Sequence, residues 1–136
     1  MMEKQIKILL INPPTFTLQT SPPIGLAYIA TVLDTHGYTV KMIDTAAIMK
    51  PLVSKDVASI INEFQPDIVG MSLYTEPVKY AYEMLRYLKR SCKPFIAIAG
   101  GPHVDTNADE ALEYGFDIAV IGEAEETILD IVAYAA

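Results

Sequence analysis

Apolar positions in this chain follow two rhythms that alternate along its length. Five short runs are almost continuously apolar: residues 5–11, 38–43, 67–73, 95–99 and 117–121. Runs of this length, closed by turn residues, predict strands buried on both faces of a sheet. Between them apolar residues recur at helical spacing: Leu26, Ile29, Ala30 and Leu33, then Val57, Ile60, Ile61 and Phe64, then Ala81, Met84, Leu85 and Leu88. A short fourth helix is predicted over 107–114 with Thr106 as its N-cap, and a fifth carries Ile128, Ile131, Val132 and Ala135. Gly37 stands where a helix-ending glycine belongs, which makes His36 a last-turn histidine. Strand–helix alternation repeated five times predicts an α/β fold, a three-layer sandwich with one five-stranded parallel sheet. The commoner doubly wound strand order for five strands, 2-1-3-4-5, is the expected one.

In open sheets of this kind ligands bind beyond the carboxyl ends of the strands, where the strand order reverses. The residues that follow each strand are therefore informative. Asn12-Pro13-Pro14 follows the first, and Ser72 then Tyr74-Thr75-Glu76-Pro77 follows the third. Gly100-Gly101-Pro102-His103 follows the fourth, and Gly122-Glu123 the fifth. The glycine pair removes two Cβ atoms where the chain leaves the sheet, so that another body can lie against the backbone. Connections at the opposite edge, such as Thr35-His36-Gly37 and Gln65-Pro66, are plain by comparison. That asymmetry marks the carboxyl edge as the candidate site.

Composition narrows the function classes. A length of 136 residues suits one domain with a proper core, and a net charge of −7 argues against a nucleic-acid partner. The basic cluster Lys89, Arg90 and Lys93 stands at a helix end, where it complements the dipole. One cysteine, Cys92, excludes a disulfide framework or a cysteine-built iron–sulfur site within these residues and reads as an incidental thiol. No apolar run approaches a membrane span and no signal-peptide layout opens the chain, so the expected compartment is the cytoplasm.

Familiar ligand and catalytic chemistries fit poorly. A dinucleotide fold needs G-x-G-x-x-G after the first strand, and that loop has four prolines and one glycine, Gly25. Asp44 stands where a ribose-binding acid would, but without those glycines it reads as a turn residue. A phospho-receiver needs an aspartate where this chain has Ser72. A flavin phosphate could use hydroxyls of Thr15, Thr17, Thr20 and Ser21, although the flanking prolines limit the N–H donors. Glu125 and Glu126 read as acids at a helix N-terminus, whereas Glu123 directly follows Gly122 at the edge and is as readily a ligand-facing group. His103 reads either as a metal ligand or, as is commoner for a lone loop histidine, as a solvated side chain. Tyr74, Tyr80, Tyr82 and Tyr87 either line a planar ligand or cover helix surfaces.

The motifs L-L-I-N-P-P (9–14), P-P-I-G-L-A-Y-I-A (22–30), P-D-I-V-G-M-S (66–72), A-G-G-P-H (99–103) and D-I-A-V-I-G-E-A-E (117–125) occur in this order. Together they resemble the N-terminal cobalamin-binding domain of cobalamin-dependent radical S-adenosylmethionine enzymes, especially those related to anaerobic magnesium-protoporphyrin ester cyclases. The resemblance spans nearly the whole chain. It implies a flavodoxin-like (Rossmann-like) fold with cobalamin across the carboxyl edge and its nucleotide tail in a slot between strands. Gly100 and Gly101 would floor the slot with Ser72 beside the tail. The corrin ring would rest over Pro13, Pro14, the Tyr74–Pro77 loop with Tyr74 and Thr75, and Gly122-Glu123, and Pro102 is counted among the cofactor-binding residues. Mutases and methionine synthases of the wider cobalamin class carry D-x-H-x-x-G after the first strand, and this chain has Asn12-Pro13-Pro14-Thr15-Phe16-Thr17 there. The resemblance thus implies cobalamin with its base displaced and no histidine on cobalt. It also implies that residues 1–136 are one domain excised from a longer enzyme. The S-adenosylmethionine and [4Fe–4S] sites would lie in a C-terminal radical domain, the module's partner. The competing expectations are a flavodoxin-like module for another nucleotide and a ligand-free docking domain.

Overall fold

The computed structural model describes residues 5–15, 23–46 and 52–135. Five strands and five helices alternate: β1 (Lys7–Asn12), α1 (Ile24–Thr35), β2 (Thr39–Asp44), α2 (Ser54–Phe64), β3 (Ile68–Ser72), α3 (Val78–Ser91), β4 (Ile96–Gly100), α4 (Pro102–Glu113), β5 (Ile118–Ala119) and α5 (Glu125–Ala135). The strands form one parallel sheet in the order β2-β1-β3-β4-β5. This is the doubly wound, flavodoxin-like arrangement expected from the alternation. Thr17, Thr20, Ser21 and Pro22, and the side chain of Glu126, lie outside the described residues.

Because side chains alternate across a strand, each strand feeds two cores. Leu9, Ile11, Val69, Met71, Ala97 and Ala99 point to one face and pack under α2, α3 and α4. Ile8, Leu10, Ile68, Ile98 and Val120 point to the other, under α1 and α5. Register aligns Leu10 with Gly70 and Gly70 with Ile98, and further along it aligns Ser72 with Gly100. The face under α1 and α5 therefore loses its bulk toward the carboxyl edge.

At the amino edge, one device is used twice. Asp67 Oδ2 accepts the Lys7 amide at 2.9 Å, and Asp117 Oδ2 accepts the Ala97 amide at 2.8 Å. An aspartate ahead of one strand thus fixes the register of its neighbour. Gly37 has φ +88°, its amide bonds to Asp34, and His36 Nδ1 lies 2.8 Å from the Val32 carbonyl, as a last-turn histidine should. Lys89, at the end of α3, bonds the Gly115 carbonyl and lies 3.6 Å from Asp117. Cys92 closes the same helix with Sγ 3.9 Å from the Ala58 carbonyl, and burial pushes its thiol pKa up.

Two boundaries differ from expectation. The fourth helix begins at Pro102 and not after Thr106, because Gly101 frees the chain to turn and proline suits a first helical position. Asn107, at φ −135° and ψ 39°, kinks it where the shorter helix was expected to start. The fifth strand is shorter than expected: it pairs with β4 over only Ile118 and Ala119, with the Val120 amide still donating to the Ala99 carbonyl at 2.8 Å.

Candidate functional site

A cleft of about 230 Å³ opens on the carboxyl half of the face under α1 and α5. Its floor comes from three strands: Leu10, then Gly70, Met71 and Ser72, then Ile98, Ala99 and Gly100. Gly25, Leu26 and Ile29 of α1 form one wall, and Val120, Ala124, Glu125 and Ile128 form the other. The rim carries Tyr74, Gly101, Pro102, Gly122 and Glu123. Most of the lining is apolar, with Ser72, Glu123 and Glu125 among its few polar groups.

The two glycines of the pair act differently. A Cβ placed on Gly100 would meet no atom within 4 Å, so this position opens the floor. A Cβ on Gly101 would lie 2.7 Å from Leu73 N, 2.8 Å from its carbonyl oxygen and 2.8 Å from Ser72 Oγ. Gly101 also has φ +97° and ψ 175°, a region essentially restricted to glycine. Its missing side chain lets α4 start against the backbone of β3, where Leu73 N donates to Gly100 O and His103 N to Leu73 O. Gly70 contributes differently again: a Cβ there would come 3.0 Å from Leu10 Cδ2, so its absence lets Leu10 lie over the sheet.

Of the residues expected at the site, Ser72, Tyr74, Gly100, Gly101, Pro102, Gly122 and Glu123 line this cleft together. Pro13 and Pro14 end β1 without lining it, and Thr75 is engaged elsewhere. Asp44 ends β2 and caps the turn that follows, its Oδ1 accepting the Ala46 amide at 3.0 Å and Asn12 Nδ2 at 2.8 Å.

His103 is neither solvated nor in a loop. It sits in the first turn of α4, 4% exposed. Nδ1 lies 3.0 Å from Thr75 Oγ1 and Nε2 lies 2.8 Å from Glu110 Oε1. The Tyr82 hydroxyl donates to the same carboxylate oxygen at 2.9 Å. These two donors, His103 first, hold the Glu110 carboxyl below its ordinary pKa, while burial and then Glu110 hold the Tyr82 phenol above its own. With Glu110 ionised, its carboxylate accepts from Nε2, so Nε2 carries the proton of that bond. Tyr82 is buried in the core beneath α3 and stacks on Tyr114, ring centroids 4.4 Å apart. Among the described residues no cluster of three or more histidine, cysteine, aspartate or glutamate side chains is arranged for a metal ion. Nor is any helix among them long and apolar enough to cross a membrane.

Sequence reasoning did not find Gly70 or the His103–Glu110–Tyr82 cluster. A glycine inside an apolar strand is a readable sign of close approach. The cluster joins residues 75, 82, 103 and 110 from three separate segments, and nothing in local spacing announces it.

Residues 17–132 match the B12 binding domain family. An uncharacterised methyltransferase of Pyrococcus horikoshii is 35% identical over 137 residues, 95% of this chain and 29% of that protein. The anaerobic magnesium-protoporphyrin IX monomethyl ester cyclase of Cereibacter sphaeroides is 32% identical over 82% of this chain and 18% of its own length. The chain thus spans less than a third of these curated relatives. Among solved structures, the cobalamin-dependent S-adenosylmethionine radical enzyme OxsB with aqua-cobalamin bound superposes with a TM-score of 0.79 at 17% identity, over 96% of this chain and 19% of that one. These findings bear out the resemblance carried by the spaced motifs. The chain belongs to the B12-binding domain family.

Proposed function

We propose that this domain binds cobalamin at the carboxyl edge of its sheet, with the nucleotide tail in the cleft and the corrin ring above the rim. The observation that carries the reading is the open floor at Gly100, where even a Cβ would meet nothing. A volume of about 230 Å³ is below the range of roughly 300–1,000 Å³ usual for a whole small-molecule site, so it suits the slender end of a larger ligand. Apolar walls suit a flat heterocyclic base, and Ser72 and Glu123 offer polar partners at the floor and the rim. Tyr74, Thr75, Pro102, Gly122 and Glu123 would support the ring, with Pro13 and Pro14 beyond them at the end of β1. A bound corrinoid supplies an organometallic carbon–cobalt bond to a reaction.

Cobalamin would bind with its base displaced and no histidine of this chain on cobalt. The chain has two histidines. His36 ends α1 at the opposite edge, and both ring nitrogens of His103 are engaged with Thr75 and Glu110. In a longer protein the domain would present the corrinoid to a C-terminal radical S-adenosylmethionine domain that holds the [4Fe–4S] cluster. The length of the relatives supports that placement.

Titration with hydroxocobalamin, followed by visible absorption, tests the reading, with a flavin titrated in parallel. Gly100→Phe should weaken cobalamin binding by at least about tenfold, since a ring would occupy the space of the tail. Reduced to the cob(II)alamin state, the complex should give an electron paramagnetic resonance spectrum without nitrogen superhyperfine splitting. A flavin response with no cobalamin response would overturn the proposal, as would unchanged cobalamin binding in Gly100→Phe.

A further inference from the structure

We infer that the first turn of α4 sets the opening of the cleft, with His103 holding one lip and Asp105 the other. This deepens the reading of the cleft as a cobalamin site and rests on it. Strand order places β4 between β3 and β5, so the turn after β4 lies between the loops that follow its two neighbours. Those loops supply the opposing rims, Tyr74 on one side and Gly122 with Glu123 on the other. The turn is itself registered on the sheet: Gly101 has no room for a side chain, and the His103 amide bonds to the Leu73 carbonyl at 3.0 Å.

From this fixed base two side chains reach outward. His103 meets Thr75 in the loop after β3, 3.0 Å from Nδ1 to Oγ1, and its far nitrogen is braced by Glu110. Glu110 is in turn braced by the Tyr82 hydroxyl, so the ring cannot swing without breaking a part-buried chain of hydrogen bonds. Asp105 Oδ1 accepts the Gly122 amide at 2.8 Å, fixing the loop after β5. Asp105 is exposed, so it adds little to the core; it stands as an acid in the first turn of α4 and bonds to Gly122. His103 and Asp105 are thus positioning residues: they act on the ligand through Thr75, Tyr74, Gly122 and Glu123.

Two measurements separate this inference from the reading it rests on. In the ligand-free protein, Asp105→Ala should speed hydrogen exchange at the Gly122 amide roughly tenfold, whereas Asp105→Asn, which keeps an acceptor oxygen, should stay near wild type. Thr75→Val should loosen the amides of loop 74–77 in the same way, and Thr75→Ser should restore them. With hydroxocobalamin, at a temperature where every variant remains fully folded, Asp105→Ala and Thr75→Val should release the corrinoid faster, by about threefold or more, with Asp105→Asn and Thr75→Ser restoring retention. Unchanged exchange at Gly122 in Asp105→Ala would overturn the inference even if the domain bound no cobalamin at all. Faster exchange with cobalamin retention unchanged, in a wild-type protein that binds, would overturn it too. Absence of binding by the wild type would count against the cobalamin reading, and the exchange measurement would still decide the clamp.

Discussion

The two faces of the sheet are built from alternate residues of the same strands, yet one is filled and the other is open at its carboxyl end. On the filled face β3 presents Val69, Met71 and then Leu73, all buried beneath α3 and α4. On the open face the same strand presents Ile68, then Gly70, then Ser72, while β4 presents Ile98 and then Gly100. Side-chain volume is withdrawn in a gradient toward the edge where ligands of such sheets bind. The floor of the cleft needs no special loop and no distortion of the ladder. It arises by omission, and the filled face carries the stability that permits it.

Truncation probes that contrast most strongly. Leu88 is fully buried in α3 on the filled face, and Leu88→Ala should cost about 3–5 kcal/mol by leaving a sealed cavity. Leu10 is nearly as buried but lines the cleft, so Leu10→Ala enlarges an existing opening and should cost about 2 kcal/mol. Urea unfolding of both variants measures the difference. Equal costs would mean that the open face is packed as tightly as the filled one.

The neighbouring glycines sharpen the same contrast at one turn. Gly101→Ala drives a Cβ into the Leu73 backbone in a glycine-only conformation and should destabilise by about 2–3 kcal/mol. Gly100→Ala enters open space in a strand and should be neutral or stabilising, by up to about 1 kcal/mol. Thermal unfolding of the pair separates a glycine needed by the fold from one that leaves room for a ligand. A similar loss in both would erase the distinction.

Strand periodicity made the sheet, its order and most of the carboxyl-edge residues legible in the sequence. Apolar runs and helical spacing are local signals, and the alternation of elements left few topologies open. Gly100-Gly101 was legible as lining the cleft but not as two roles, because only the sheet's register shows which missing Cβ faces it. His103 was misplaced for a related reason. Its burial depends on Glu110, seven residues on along α4, and on Thr75 and Tyr82 from elsewhere in the chain. The helix start at Pro102 was missed because Thr106 offered a conventional cap. The actual start depends on Gly101 meeting the backbone of another strand.

The smallest expected effect concerns the His103–Glu110–Tyr82 cluster on the filled side. Glu110 titrates below the ordinary glutamate value of 4.5 because His103 and then Tyr82 donate to its carboxylate. A carboxyl group whose pKa is depressed by folding binds fewer protons in the native state than in the unfolded one, so its stabilisation is complete above the unfolded value and is lost as pH falls through the folded one. Part of this carboxylate faces solvent, which limits its contribution to at most about 1 kcal/mol at neutral pH. Glu110→Gln should therefore melt below wild type at pH 7, and the gap should close as the pH is taken below 4.5. Comparing the two proteins cancels the acid response of the other carboxylates. The cleft should be insulated from this titration except through His103 and Thr75. If the gap stays constant with pH, Glu110 acts by shape alone, and the polar brace behind the lip reduces to packing.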